Sequence, residues 1–292
     1  MPRLITFKAG AAECVLCPNV GGSFVSWSID GQAMLRRADD AAIASGDPLQ
    51  FASFPLVPFS NRIAKGKLDW QGVRIEIDPN FAPEPHAIHG VGWKMPWEVS
   101  ELSETHCILS FNHKADSRWP WPFSATQTFT LSEYTLELAL EAVNLCDKPR
   151  PLAFGYHPYF DQSSAYLTFD AERVFMSDTD GLPTDSVAPT GAFDFSKGER
   201  VEGHDIDHCY AGWNGKARIV WQDRALGLVV TSSMPAAVVY IPPGGNAFCF
   251  EPVPHINNAL NRPGDEPTMP VIQPGRSYRS TIKMTAIAAE QI

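Results

Sequence analysis

Positive charge is scarce in this chain of 292 residues: Lys and Arg number 23 against 33 Asp and Glu, a formal net charge of −10. A field of that sign repels phosphate backbones and anionic lipid surfaces, so neither nucleic acid nor a membrane is expected as a partner. A local basic pocket for one small anion is compatible with the sum. Long apolar runs are missing too, and nothing approaches the roughly 18 uninterrupted apolar residues of a spanning helix. The amino-terminal stretch MPRLITFKAGAAECVL offers an Arg and then alternating residues, without the apolar centre and small-residue cleavage site of a secretory signal. The expected location is therefore cytoplasmic. Cysteine is sparse: Cys14, Cys17, Cys107, Cys146, Cys209 and Cys249 are too scattered for a disulfide framework and are expected as buried thiols. Phosphate-loop and dinucleotide fingerprints are lacking, since Gly21-Gly22 and Gly244-Gly245 precede no helical pattern. No G-x-S-x-G marks a hydrolase nucleophile elbow.

Helical periodicity is nearly absent as well. Residues 39 to 44 could form a turn or two, while 25 Pro and 21 Gly punctuate almost everything else. What the chain has instead is period-two alternation. Tyr134, Leu136, Leu138 and Leu140 fall on one side of a strand, with Thr135, Glu137 and Glu141 on the other. Residues 68–70 and 73–77 alternate across Gln71-Gly72, and residues 219–221 and 226–230 flank Asp223-Arg224; both read as antiparallel hairpins. A terminal strand alternates through Tyr278, Ile282 and Met284. The class is mostly β, an antiparallel β-sandwich with few short helices, because so many strands bury their edges best in large stacked sheets. The turn-rich stretch 178–207 carries Phe193 and Phe195, which suggest packing, and no boundary divides residues 1–292 into more than one domain.

Polar residues with chemical potential gather in four segments. His157 stands among Phe154, Tyr156, Tyr159 and Phe160 with Pro158 fixing the backbone after it, an aromatic wall of the kind that the C–H faces of a sugar suit. A core histidine satisfied by one carbonyl is the bland reading. Glu251 ends the apolar run Ala247-Phe-Cys-Phe250 just before Pro252, where desolvation raises a carboxyl toward the range of a general base working near neutrality. The plain alternative is a strand-end Glu reaching water. Asp207 follows Asp205 by two, and alternation does not choose between them. Arg62 carries a fork of donors for vicinal hydroxyls, although a surface ion pair is the commoner fate of such an Arg. His86 and His89 form H-x-x-H, but with no third ligand at a diagnostic interval they do not make a zinc site. Cys14 and Cys17 form C-x-x-C within a strand, which argues against a redox role.

Taken in order, these segments resemble the aldose 1-epimerase (galactose mutarotase) family. The resemblance rests on Asn61-Arg62-Ile63 with Gly66, His89-Gly90, Gly155-Tyr-His157-Pro-Tyr-Phe160, Pro183-Thr184, Phe193-Asp-Phe195, Asp207-His-Cys-Tyr210, and Glu251-Pro252 with Asn258-Ala259. It spans most of the chain, and G-x-H-P-Y-F is its most specific member. It implies a galactose mutarotase-like supersandwich, free of cofactor and metal, with a cleft on one concave sheet. Glu251 then corresponds to the general base and His157 to the general acid, with Arg62, His89 and Asp207 binding substrate. His89-Gly90 departs from the family in continuing with Val91-Gly92, and His86 offers a rival imidazole.

The reaction so implied is anomer exchange of a free hexose or related aldose: an isomerase of carbohydrate metabolism acting by ring opening and reclosure. Alternatives are a hexose 6-phosphate 1-epimerase, with Arg36, Arg37, Arg62 and Lys65 for the phosphate, and a non-catalytic sugar-binding module on the same fold. A glycosidase built on Asp207 and Glu251 is a further alternative. The expected partner is a small sugar, and the chain is expected as a monomer or homodimer.

Overall fold

The structure, a computed structural model, describes residues 2–288. Antiparallel strands dominate it and assemble into two large sheets. The first, of eleven strands, runs in the spatial order Ile5–Ala9, Ala12–Cys17, Ser23–Ile29, Ser53–Leu56, Gly155–Asp161, Ala247–Val253, Ala236–Ile241, Ile206–Ala211, Arg173–Ser177, Pro183–Val187, with Gln32–Ala33 paired to Ser23–Ile29. The second has nine strands and is centred on Phe123–Leu131, Thr135–Asn144, Ser277–Ala288 and Leu226–Ser232. A shared apolar core joins them. Phe24 of the first sheet meets Phe129 of the second edge-on at 5.1 Å between ring centroids. Each large apolar side chain so enclosed contributes roughly 1.5–3 kcal/mol, which explains why the fold needs no covalent staple. All six cysteines are free thiols.

The expected hairpins form. Lys67–Trp70 pairs with Val73–Glu76 across Gln71-Gly72, whose φ values of 52° and 80° give both turn residues the left-handed conformation that matches strand twist. Lys216–Trp221 pairs with Leu226–Ser232. One strand differs in its limits: it runs Thr135–Asn144 and buries Leu136, Leu138, Leu140 and Ala142, while Tyr134 precedes it and is 48% exposed. The short helix Asp40–Ser45 begins where the Asp39 carboxylate accepts from Ala42 N–H at 2.8 Å. Within residues 178–207, Phe195 stacks on Phe169 at 5.4 Å, as packing rather than a free linker requires. Among the described residues no helix is long and apolar enough to cross a membrane.

Two strands at the middle of the first sheet depart from simple alternation. In Gly155–Asp161 and Ala247–Val253 almost every residue is buried. Their alternate residues serve different surroundings. Tyr156, Phe160, Phe248 and Phe250 contact aromatic rings of the core, while the intervening His157, Tyr159 and Glu251 line a cavity.

Candidate active site

Strand register assembles the site. Tyr159 pairs with Cys249, Cys249 with Tyr240, and Tyr240 with Asp207, so one row crosses four neighbouring strands on a single face. Continuing the first pairing by two residues sets His157 opposite Glu251. The side chains converge: His157 Nε2 is 3.4 Å from Glu251 Oε1, and both residues are buried. Asp207 belongs to this row because its strand starts at Ile206, whereas Asp205 precedes the strand and faces only a neighbouring basin.

The cavity above the pair has a volume of about 340 Å³ and is lined by Asn61, Arg62, Phe81, Glu84, His89, His157, Tyr159, Asp207, Tyr240 and Glu251, with Leu49 and Ile88. All five residues singled out in the sequence thus meet at one cavity. A second, outer basin of about 680 Å³ shares Arg62, Glu84 and Asp207 with it and adds His86, Asp178, Asp180, Asp205 and His208. The two histidines of H-x-x-H therefore diverge, His89 into the inner cavity and His86 toward the outer one.

The aromatic wall around His157 is real but differently composed from the sequence expectation. Its imidazole lies between Phe54, at 4.4 Å between centroids, and Tyr159, at 4.7 Å. Tyr156 and Phe160 occupy the opposite face. Phe54 escapes sequence reasoning because it comes from the neighbouring strand, where His157 pairs with it.

His89 is held by local geometry. Its backbone is left-handed, at φ 58°, and is followed by Gly90 at φ 69°. A Cβ on Gly90 would lie 2.2 Å from the Val57 carbonyl oxygen, so only glycine lets the chain pass there. His89 Nδ1 accepts from Asn61 N–H at 3.2 Å, which leaves the proton of the neutral ring on Nε2. Burial, reinforced by His157 and Arg62, pushes the His89 pKa well below its ordinary value, so the ring is a neutral donor.

Arg62 is committed differently from the sequence expectation. Its Nε and Nη2 donate to Glu84 at 2.9 and 2.8 Å, and Nη1 donates to Asp207 at 3.2 Å. Burial lowers its pKa, but the Glu84 and Asp207 carboxylates outweigh that and raise it. Most of the fork is therefore occupied, and the residue joins two carboxylates at the cavity rim. Sequence reasoning misses Glu84; its one signal is a lone carboxylate between Pro83 and Pro85. Asn258, part of the family-like pattern, acts beneath this rim. Its N–H donates to the Arg62 carbonyl at 2.9 Å, and its Oδ1 accepts from Ala64 N–H at 3.0 Å.

Electrostatics set the floor pair apart. Burial lowers the His157 pKa from 6.5 to about 3, with the Arg36 charge adding to the effect. Burial, helped by the Asp207 charge, raises Glu251 well above the ordinary carboxylate range. Both shifts favour neutral forms, so the pair holds one proton between two groups. Glu251 Oε2 and His157 Nδ1 have no hydrogen-bond partner although both are buried. Orphaned polar atoms of this kind are costly in a core and are typical of a floor that receives a polar ligand. Among the described residues, His157, Cys249 and Glu251 also bring ligating atoms within 4.8 Å of one another.

The sequence profile described as aldose 1-epimerase matches residues 3–285. An uncharacterised protein of Escherichia coli K12, YphB, is 26% identical over 284 residues, covering 90% of this chain and 92% of its own. A solved structure of a candidate aldose 1-epimerase from Escherichia coli K12 superposes with a TM-score of 0.91 at 23% identity, covering 99% of this chain and 100% of that one. A galactose mutarotase-like protein from Clostridium acetobutylicum gives 0.88 at 23% identity, over 98% and 96% of the two chains. These likenesses establish a galactose mutarotase-like fold.

Proposed function

Because the chain belongs to the aldose 1-epimerase family, we propose that it is a mutarotase, interconverting the α and β anomers of a free hexose or related aldose. The observation that carries this reading is the Glu251–His157 pair, 3.4 Å apart on the floor of a cavity of about 340 Å³. That volume is at the small end of the roughly 300–1,000 Å³ typical of ligand pockets and suits a single sugar ring.

The two groups do not stand on opposite sides of a gap wide enough for a sugar. The pair lies side by side, so the hemiacetal rests above both, with its ring oxygen and C1 hydroxyl reached from the same side. A gap of 3.4 Å exceeds a charge-assisted hydrogen bond, leaving a proton and a lone pair available to sugar oxygens. Glu251 takes the C1 hydroxyl proton while His157 protonates the ring oxygen. The C1–O5 bond breaks and the aldehyde forms. Rotation about C1–C2 presents the other face, the ring oxygen attacks C1, and the protons return. The acting form is the carboxylate–imidazolium pair, reached from the neutral pair by passing the shared proton from Glu251 to His157. Ring opening returns the pair to its neutral form and reclosure restores the charged one, so the proton inventory closes. Each positioned donor or acceptor typically contributes about 10²–10⁴-fold. His89, Arg62 and Asp207 then hold hydroxyls in register.

Charge favours an unphosphorylated substrate. Among the described residues Arg62 is the only Lys or Arg lining either cavity, and it is already paired with Glu84 and Asp207. Arg36 lines neither cavity and is committed elsewhere: it lies over the Tyr159 ring at 3.7 Å and donates to the Leu49 carbonyl at 2.6 Å. Arg37 and Lys65 are exposed and outside both cavities.

The test is anomer-resolved NMR or polarimetry on freshly dissolved α-glucose, α-galactose and α-glucose 6-phosphate. Accelerated exchange of free sugars supports the proposal. Saturable sugar binding without acceleration of any aldose would replace it with a binding module, and a preference for the phosphate with an ester-specific epimerase.

A further inference from the structure

Beneath the proposed proton-transfer pair lies a thiol that the reaction does not use. Cys249 is wholly buried, two residues before Glu251 on the same strand and on the same face. A ring nitrogen of His157, the Cys249 sulfur and a Glu251 carboxylate oxygen all fall within 4.8 Å of one another. We propose that these three side chains form a zinc-binding site at the cavity floor, and that the ion, taken from solution, switches off turnover by occupying the pair that moves protons.

Ligand chemistry and spacing carry the proposal together. Imidazole, thiolate and carboxylate in one cluster select zinc over magnesium or calcium, which prefer oxygen alone. Bond lengths of about 2.0–2.3 Å at tetrahedral angles require ligand atoms roughly 3.3–3.6 Å apart. The observed separation of 3.4 Å between His157 Nε2 and Glu251 Oε1 already meets that requirement. The sulfur, within 4.8 Å of the other two ligand atoms, has a single side-chain torsion through which to approach the ion. Two neighbouring strands hold all three residues, so the backbone contributes rigidity rather than loop mobility. The fourth position faces the cavity, as in sites that keep one place open for water or an exogenous oxygen.

Glu251 Oε2 and His157 Nδ1, the atoms that this Nε2–Oε1 geometry leaves outside the coordination, have no hydrogen-bond partner. The missing partner at Nδ1 also means that the ring lacks the usual outer hydrogen bond of a resident metal ligand. A reversible inhibitory ion fits this better than a permanent one. On binding, the Cys249 thiol and the protonated Glu251 each release a proton to solvent, and thiolate plus carboxylate balance the two charges of the ion. Loss of turnover on zinc binding rests on the mutarotase reading, whereas zinc binding itself does not.

The decisive experiment titrates metal-free protein with Co²⁺ and then Zn²⁺, following the near-ultraviolet thiolate-to-cobalt band, and measures anomer exchange in parallel. We expect one Co²⁺ per chain with that band, displacement by Zn²⁺, and loss of exchange that EDTA restores. Cys249→Ser should abolish the band and weaken zinc binding more than about tenfold by calorimetry, as removal of a direct ligand exceeds outer-shell effects. Glu251→Gln should keep the band but weaken zinc by a similar factor, and it decides the matter if Cys249→Ser does not fold. Cys146→Ser removes a half-buried thiol outside the cavity and should change nothing. A band that is absent, that survives in Cys249→Ser, or that vanishes in Cys146→Ser overturns the site. If the wild type exchanges no anomers, the cobalt titration still supports or overturns the site by itself.

Discussion

At the residue scale, the floor pair couples chemistry to stability with opposite signs. Glu251→Gln removes a buried acid that the unfolded chain ionises above about 4.5 and the native chain keeps protonated to higher pH, so native stability falls as pH rises through that window. Glu251→Gln should therefore lower anomer exchange by about 10²–10⁴-fold while raising the melting temperature at neutral pH. A gain of about 2–4 °C corresponds to roughly 1 kcal/mol in a protein near this size. Calorimetry showing a lower melting temperature would contradict the strained-carboxyl account. His157 behaves in the reverse sense. Between 6.5 and about 3 the unfolded chain binds a proton that the native imidazole refuses, so stability declines as pH falls across that interval. Activity needs a single proton on the pair, which gives a bell-shaped kcat/KM profile. Its acid limb should lie below 6.5, and an inflection at 6.5 itself would show that His157 is solvated rather than buried.

Segments, rather than single side chains, orient the rim. The stretch through His89 and Gly90 is pinned to Val57, whose carbonyl accepts from Val91 N–H at 2.9 Å and Gly92 N–H at 3.0 Å. Gly90→Ala forces a methyl group against that carbonyl, and a denaturant midpoint should report a loss of at least about 1–3 kcal/mol. The same change should raise KM by displacing His89. An unaltered midpoint would mean that the segment yields without cost. Asn258 clamps the Arg62 segment from another loop, so Asn258→Ala should raise KM more than it lowers kcat. Equal effects on both would place its influence on the proton-transfer step instead.

Over the whole molecule, net charge and cavity lining act in concert. Glu84, Asp178, Asp180, Asp205, Asp207 and Glu251 line the two cavities against a single paired arginine. KM for glucose 6-phosphate should exceed that for glucose by on the order of tenfold at low ionic strength, and the gap should narrow toward 1 M salt as screening shortens to about 3 Å. A gap indifferent to salt would assign the discrimination to shape. At this scale the sheet also explains why the floor is rigid, since the strands of His157 and Glu251 are central, almost wholly buried, and packed by aromatic side chains into the core on the face opposite the cavity.

Alternation of Leu136, Leu138 and Leu140, the Gln71-Gly72 turn and the dearth of helical patterning were enough for an antiparallel sandwich, because side-chain direction in a strand follows from local backbone geometry. The set of Arg62, His89, His157, Asp207 and Glu251 rested on the ordered resemblance to a family, since alternation alone left Asp205 and Asp207 undistinguished. What the linear order did not contain was register. That His157 meets Glu251 side by side, that Phe54 supplies the ring against the imidazole, that Asp207 and not Asp205 enters the inner cavity, and that Glu84 occupies the Arg62 fork all follow from which strands and loops lie adjacent. Such adjacency is decided by burial summed over the whole core, a long-range quantity that no local pattern encodes.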